Sequence, residues 1–122
     1  MARLSARVGI CAALLLSGSL LAGCGTGGGV AEARHACQYV TKALKQARAA
    51  QDLSGSSQVA LENQAVATLL RATPFAARAT TADGQWNGLQ TTIGEAQRVP
   101  IIDLAPSLRR ICQVANSASP YL

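Results

Sequence analysis

The side chains of this sequence that could perform chemistry are few, and four of them are cysteine thiols. Cys11 and Cys24 lie within the first 24 residues, whereas Cys37 and Cys112 lie far apart in the rest of the chain. A thiol can be acylated, form a disulfide, bind a metal or act as a nucleophile, and its surroundings decide among these roles. The chain offers one histidine, His35, and six carboxylates besides.

The spacing of the other reactive residues does not indicate catalysis. His35 follows Glu32 by three residues, but no nucleophile accompanies the pair at a recognisable spacing. The hydroxyl-rich pairs Thr80-Thr81 and Thr91-Thr92 have no nearby base in the sequence. A single histidine without any CxxC motif also argues against a metal site. We therefore expect no enzymatic activity, no cofactor and no bound metal.

The first 23 residues have the organisation of a signal peptide. Arg3 and Arg7 form a basic start, an apolar run follows from Val8 to Leu16, and small residues precede Cys24. The alternative is an uncleaved membrane anchor, but a spanning helix needs ~20 apolar residues. This run is shorter and is diluted by glycine and serine. We therefore predict that residues 1–23 are removed.

The tetrapeptide that ends this segment, Leu21-Ala22-Gly23-Cys24, resembles the lipobox of bacterial lipoproteins. The resemblance implies that Cys24 carries a diacylglycerol on its sulfur and often a further acyl chain, such as palmitate, on its amine. Two or more chains make membrane attachment stable. The alanine- and arginine-rich chain is similar to small lipoproteins of high-GC Gram-positive bacteria. That likeness implies a location on the extracytoplasmic face of the cell membrane, but no activity.

Residues 24–29 read as the lipidated cysteine and a glycine-rich tether, followed by one small domain over residues 30–122. The five residues from Gly25 to Gly29 reach ~17 Å when fully extended, so the domain must stay close to the bilayer. The chain has a formal net charge of +5, to which Arg3 and Arg7 contribute two charges. A moderate positive charge favours an anionic membrane surface. Without a basic run interleaved with aromatics, we expect no nucleic-acid binding.

The composition and periodicity of residues 30–122 predict an all-α domain. Alanine-rich, β-branch-poor segments favour helix, and apolar residues recur every three or four positions in four segments, at 30–51, 57–72, 83–99 and 103–117. We predict a small up-and-down four-helix bundle stapled by one disulfide and preceded by a signal-peptide helix. Residues 73–82 could form a separate helix or continue the second one. On the second predicted helix we expect the buried side to carry Val59, Val66, Leu69 and Leu70. We expect Asp83 to cap the third helix and Asp103 to cap the fourth.

Cys37 and Cys112 lie on the apolar stripes of the first and last predicted helices. Those helices run antiparallel in an up-and-down bundle, so the two thiols meet at one level. Paired cysteines in an extracytoplasmic protein usually form a disulfide, and two free buried thiols are the alternative. The same topology brings both chain ends to the membrane side and turns 52–56 and 99–103 outward. The connection around 73–82 would then lie on the membrane side.

The triplet Trp86-Asn87-Gly88 resembles the W-x-G signature of helical-hairpin proteins exported by type VII secretion. Those proteins lack a signal peptide and carry the triplet in the turn between their helices. Here a lipobox precedes it, and Trp86 lies on the apolar stripe of the third predicted helix. We therefore expect Trp86 to be a core residue.

An anchor, a short tether and no catalytic constellation lead to one functional expectation. The chain should be a membrane-anchored lipoprotein that serves as a non-catalytic binding or scaffold module for another envelope protein or for the anionic membrane surface. The alternative is a carrier of a small apolar ligand held between the helices. A preformed cavity would favour the carrier, and tight alanine-mediated packing would favour the scaffold.

Overall fold

The computed structural model describes residues 28–121, so the predicted signal peptide and Cys24 lie outside the described residues. The described part is helical, without strands. Its helices are α1 (Val30–Ala50), α2 (Gly55–Leu70), α3 (Thr73–Ala82), α4 (Asn87–Glu95) and α5 (Ile101–Asn116), with a 3-10 turn at Gly84–Trp86. Helices α2 and α3 follow one another along α1. Together they take the place of one helix in an up-and-down four-helix bundle, which confirms the predicted fold class.

The direction of the helices follows from the contacts that join them. Near the start of α1, Arg34 Nε donates to the carbonyl of Ala115 at the end of α5, 2.7 Å away. At the other end of α1, Ala47 lines the same groove as Ile101, the first residue of α5. Helices α1 and α5 are therefore antiparallel, as the sequence predicts.

Pro74 explains why α2 and α3 are separate helices. The last residues before the break form tight i→i−3 bonds, from the Arg71 amide to Thr68 and from the Ala72 amide to Leu69. Helix α3 then starts at Thr73, and Pro74 occupies its first turn, where a missing N–H breaks no helical bond. Residues 73–82 are thus a helix, and the chain reverses instead at Asp83.

Two of the predicted helix starts have different outcomes. The Asp83 side chain accepts a hydrogen bond from the Gln85 amide at 3.1 Å, so it caps the 3-10 turn as expected. The prediction that Asp103 caps the last helix is wrong, because α5 begins at Ile101 after the extended Pro100. Asp103 lies in the first turn of α5, where its charge is favourable for the helix dipole.

The predicted burial of Val59 is also wrong. Its side chain is 55% exposed, whereas Ala65 and Leu69 of the same helix are fully buried. The stripe of α2 that faces the core runs through every third or fourth residue to Leu69, and Val59 lies on another side of the helix. Of the other expected residues, Val66 and Leu70 are half-buried.

The core combines a few large side chains with many alanines. Trp86 is fully buried, which confirms its predicted place in the core, although it lies in the 3-10 turn before α4 rather than within a helix. Gly29 has a φ of 75°, and a Cβ there would lie 2.6 Å from the carbonyl oxygen of Ala79. The backbone at the start of α1 is therefore in contact with the backbone of α3. The buried alanines of α1 and α3 at this contact are Ala33, Ala36, Ala76 and Ala79.

The predicted disulfide between Cys37 and Cys112 is confirmed. Their Cα atoms are 5.6 Å apart, and the bridge joins α1 to α5 within the core. It closes a loop with a sequence separation of 75. In the chain-entropy model a loop of this length corresponds to about 4.5 kcal/mol of stabilisation.

Both ends of the described chain are fixed at the same end of the bundle. The Trp86 indole Nε1 donates to the Gly28 carbonyl at 2.9 Å. The side-chain Nε2 of the neighbouring Gln85 donates to the carbonyl of Pro120 at 3.2 Å. We call this end, with Gly28 and Pro120, the terminal end of the bundle. No helix between residues 28 and 121 is long and apolar enough to cross a membrane.

Candidate binding groove

A groove of about 370 Å³ lies at the end of the bundle opposite the terminal end. It opens between the last turn of α1, the middle of α2 and the segment that connects α4 to α5. Its walls are mainly apolar and its edge carries amide and charged side chains. The lining residues are Ala47, Gln51, Glu62, Asn63, Ala65, Val66 and residues 96–102.

Small side chains and one proline create this groove. Ala47, Ala65 and Ala96 face it from three elements, and none of them is large enough to fill the space between the backbones. The amides of Arg98 and Val99 both bond back to the Glu95 carbonyl, which turns the chain out of α4. An extended residue at Pro100 then starts α5. We call the lining defined above the outer groove.

The charged residues on the edge of the outer groove already have partners. Arg98 forms an ion pair with Glu95 at 2.7 Å, and the Gln58 side-chain Nε2 donates to the Glu62 carboxylate at 3.0 Å. Both interactions are exposed, so each contributes little to stability and can be exchanged for a ligand. Val66, Val99 and Ile102 form half-buried apolar walls. This combination suits an apolar group or peptide segment with a polar edge.

The residues singled out for chemistry are not brought together in the outer groove. Cys37 and Cys112 are bonded to each other between α1 and α5. His35 lies toward the terminal end, where its ring packs against that of Phe75 at a 30° tilt, with centroids 3.9 Å apart. Within the described residues, no group of three or more His, Cys, Asp or Glu side chains could hold a metal.

The threonine pairs and Glu32 make structural contacts. Thr80 and Thr92 donate their hydroxyl protons to carbonyls four residues earlier in their own helices, at 2.9 Å and 2.7 Å. Thr81 and Thr91 do the same. Glu32 forms an ion pair with Arg78 of α3 at 3.3 Å rather than with His35. The threonine bonds remain within their own helices, and the Glu32–Arg78 pair joins α1 to α3.

A second surface feature is an aromatic cluster on the face shared by α1 and α3. Tyr39 of α1 stacks with Phe75 of α3, with ring centroids 5.7 Å apart, and His35 of α1 packs against both rings. The Arg78 guanidinium lies over the Phe75 ring, 4.8 Å from its centroid, in a cation–π contact. We call His35, Tyr39 and Phe75 the aromatic cluster.

The outer groove and the aromatic cluster were both missed by sequence reasoning. The i,i+4 spacing of His35 and Tyr39 and the i,i+3 spacing of Phe75 and Arg78 do place each pair on one helix face. Neither spacing says that these two faces adjoin, because that depends on how α3 packs on α1. The groove leaves a still weaker signal, since three small residues from three distant segments create it.

Comparisons with known proteins identify no relative: no family model, no curated protein and no solved structure matches this chain.

Proposed function

We propose that this chain is a lipid-anchored protein of the cell envelope that binds another envelope protein through the outer groove, without catalysing a reaction. The anchor is Cys24, four residues before the first described residue, and the protein is held on the extracytoplasmic face of the membrane. The observation that carries the proposal is the separation of the two ends of the bundle. Gly28 and Pro120 are fixed at the terminal end, and the outer groove lies at the other.

This geometry supports a display role. Helix α1 has 21 residues, which at 1.5 Å per residue corresponds to about 30 Å between the tether and the outer groove. A lipid at Cys24 would hold the terminal end near the bilayer and leave the groove accessible. The packing also favours a rigid scaffold, because alanine contacts and the Cys37–Cys112 bridge fix the helices that carry the groove.

Site-specific photo-crosslinking in the native envelope tests this binding role. A photoreactive amino acid at Gln97, which is exposed and lines the outer groove, should capture a discrete protein partner. The matched control is the same amino acid at Asn87, which is exposed on α4 outside the groove. Adding Val66→Lys, at a half-buried groove position, should abolish the Gln97 adduct while the helical content is retained. Equal adducts at both positions, or none, would refute groove-mediated binding.

A second candidate function is the carriage of a small apolar ligand, and the volume of the groove favours it. About 370 Å³ falls within the range of small-molecule sites. Such a ligand would sit in the outer groove rather than between α1 and α3, where buried alanines and the Gly29–Ala79 contact leave the backbones close together. Native mass spectrometry decides between the candidates. A carrier keeps a bound apolar molecule that Val66→Lys releases, whereas a protein-binding module shows the bare chain mass.

A further inference from the structure

The surface next to the tether has its own chemistry, distinct from that of the outer groove. The inference below rests on the proposed lipid anchor. Gly28 is fixed in the fold by the Trp86 hydrogen bond, and Cys24 precedes it by four residues. Four extended residues span at most about 14 Å. A lipid on Cys24 therefore brings the headgroups within that distance of Gly28.

The aromatic cluster lies within reach of this tether. Tyr39 is nine residues from Val30 in α1, which places it about 14 Å along the helix axis. His35 is exposed, and Tyr39 and Phe75 are half-exposed, so the cluster presents ring surface to solvent. Aromatic rings with a polar end favour the boundary between water and lipid.

Cationic side chains flank the aromatic cluster. Lys42 follows Tyr39 by three residues on α1, and Arg78 follows Phe75 by three residues on α3, so helical spacing places both cations on the same face as the rings. Arg71 is exposed and lies in the turn between α2 and α3, where it is the C-cap residue of α2. Among the described residues, the ion pair recorded for this set joins Arg78 to Glu32. We call His35, Tyr39, Lys42, Arg71, Phe75 and Arg78 the docking face.

We propose that the docking face rests on the anionic headgroups of the membrane to which Cys24 is anchored. The cations would contact lipid phosphates, and the rings would lie at headgroup level, as in interfacial helices. The lipid anchor makes this contact intramolecular, so a weak interaction is sufficient to orient the bundle. The docking face shares no residue with the outer groove, so membrane docking and groove binding use different side chains.

Other cations of the described chain do not offer the same combination. Arg109 and Arg110 are adjacent and exposed on α5. The ring contacts that the structure records join His35, Tyr39 and Phe75 only. A purely electrostatic attraction to the bilayer would involve Arg109 and Arg110 of α5 as much as Arg71 and Arg78. Docking through rings and cations together involves α1 and α3, and this difference supplies the matched control.

The test uses the full, processed chain reconstituted in vesicles of phosphatidylcholine with and without phosphatidylglycerol. Hydroxyl-radical oxidation followed by mass mapping measures the exposure of individual side chains. We expect Tyr39 and Phe75 to be oxidised several-fold more slowly in the anionic vesicles. Leu53 and Val59, which are exposed and lie away from the terminal end, should react equally in both kinds of vesicle. The protection should decline with added salt, because headgroup attraction is screened.

Charge-removing variants identify the face that is responsible. The pair Arg71→Gln and Arg78→Gln should lower the ratio of docked to undocked protein by roughly thirtyfold, because each arginine is expected to make about one contact with a charged headgroup. The pair Arg109→Gln and Arg110→Gln removes the same charge from α5 and should leave the protection unchanged. Equal protection in both vesicle types, or an equal effect of both pairs, would overturn the docking face. The mass of the Cys24 peptide separates the two proposals: a lipidated Cys24 without protection refutes only docking, whereas an unlipidated Cys24 refutes the anchor and docking with it.

Discussion

Removing the Cys37–Cys112 bridge should cost a large part of the stability of this domain. The bridge closes a loop with a sequence separation of 75, and the chain-entropy model gives about 4.5 kcal/mol for a loop of this length. A domain of this size has a free energy of unfolding on the order of 5–10 kcal/mol. Without the bridge, the folded state should therefore be only marginally stable.

The loss is measured by urea denaturation of the segment 25–122, which retains every contact of the described residues, with the helical circular dichroism signal as the probe. The reference is the wild-type segment with its disulfide intact. Its free energy of unfolding is compared with that of the wild-type segment in reductant and with that of the double variant Cys37→Ala and Cys112→Ala. The reduced wild type keeps both buried sulfur atoms, so it isolates the effect of the covalent link from that of lost packing. A decrease below about 1 kcal/mol in the reduced wild type would refute chain closure as the source of the stability.

Two matched pairs of substitutions and one single substitution test the packing. Gly29→Ala should destabilise the domain by more than about 2 kcal/mol, because it combines a φ of 75° with a backbone clash. Gly55→Ala, with a φ of 61° and open space around it, should cost only about 1 kcal/mol; equal losses would contradict the close contact of α1 and α3. Leu108→Ala, at a fully buried position, should lower the free energy of unfolding by about 2–5 kcal/mol. Val59→Ala, at a position that is 55% exposed, should change it by less than about 0.5 kcal/mol. A large effect of Val59→Ala would show that Val59 is buried, as the sequence predicts. Gly94→Ala, in α4 with nothing within 4 Å, should stabilise the domain by about 0.5–1 kcal/mol, and denaturation midpoints measure all of these changes.

The parts of the fold that the sequence predicts are those encoded by long periodic stripes. Helix α1 has buried residues at regular helical spacing over 21 residues, so its bounds and the inward position of Cys37 follow from periodicity alone. Helix α5 has the same property around Cys112. Antiparallel packing of the two then predicts the disulfide. The prediction succeeds because both cysteines lie on strong stripes.

The errors lie where the stripe is weak or a local effect competes with it. Helix α2 buries only Ala65, Thr68 and Leu69, so Val59 has no strong periodic neighbours to mark its side of the helix. Asp103 is a good N-cap residue, but the extended conformation at Pro100 starts α5 earlier. In both cases the side chain type is informative, and the tertiary or backbone context decides its role.

The two candidate sites could not be predicted because each is formed by packing between elements. The aromatic cluster requires the α3 side chain Phe75 to pack on His35 and Tyr39 of α1. The outer groove requires small residues of three segments to face each other without filling the space. Single-helix periodicity identifies an exposed or buried side, but it does not say which exposed sides adjoin.

The mass of the N-terminal peptide of the protein isolated from its own envelope tests the central claim most directly. Cys24 should be the first residue, and its mass should include a diacylglycerol on the sulfur. Cys24→Ala should leave the precursor uncleaved and should abolish that modification, whereas Cys11→Ala should have no effect on the processed form. A processed chain that starts at another residue, or a mature Cys24 with a free thiol, would contradict the lipid anchor.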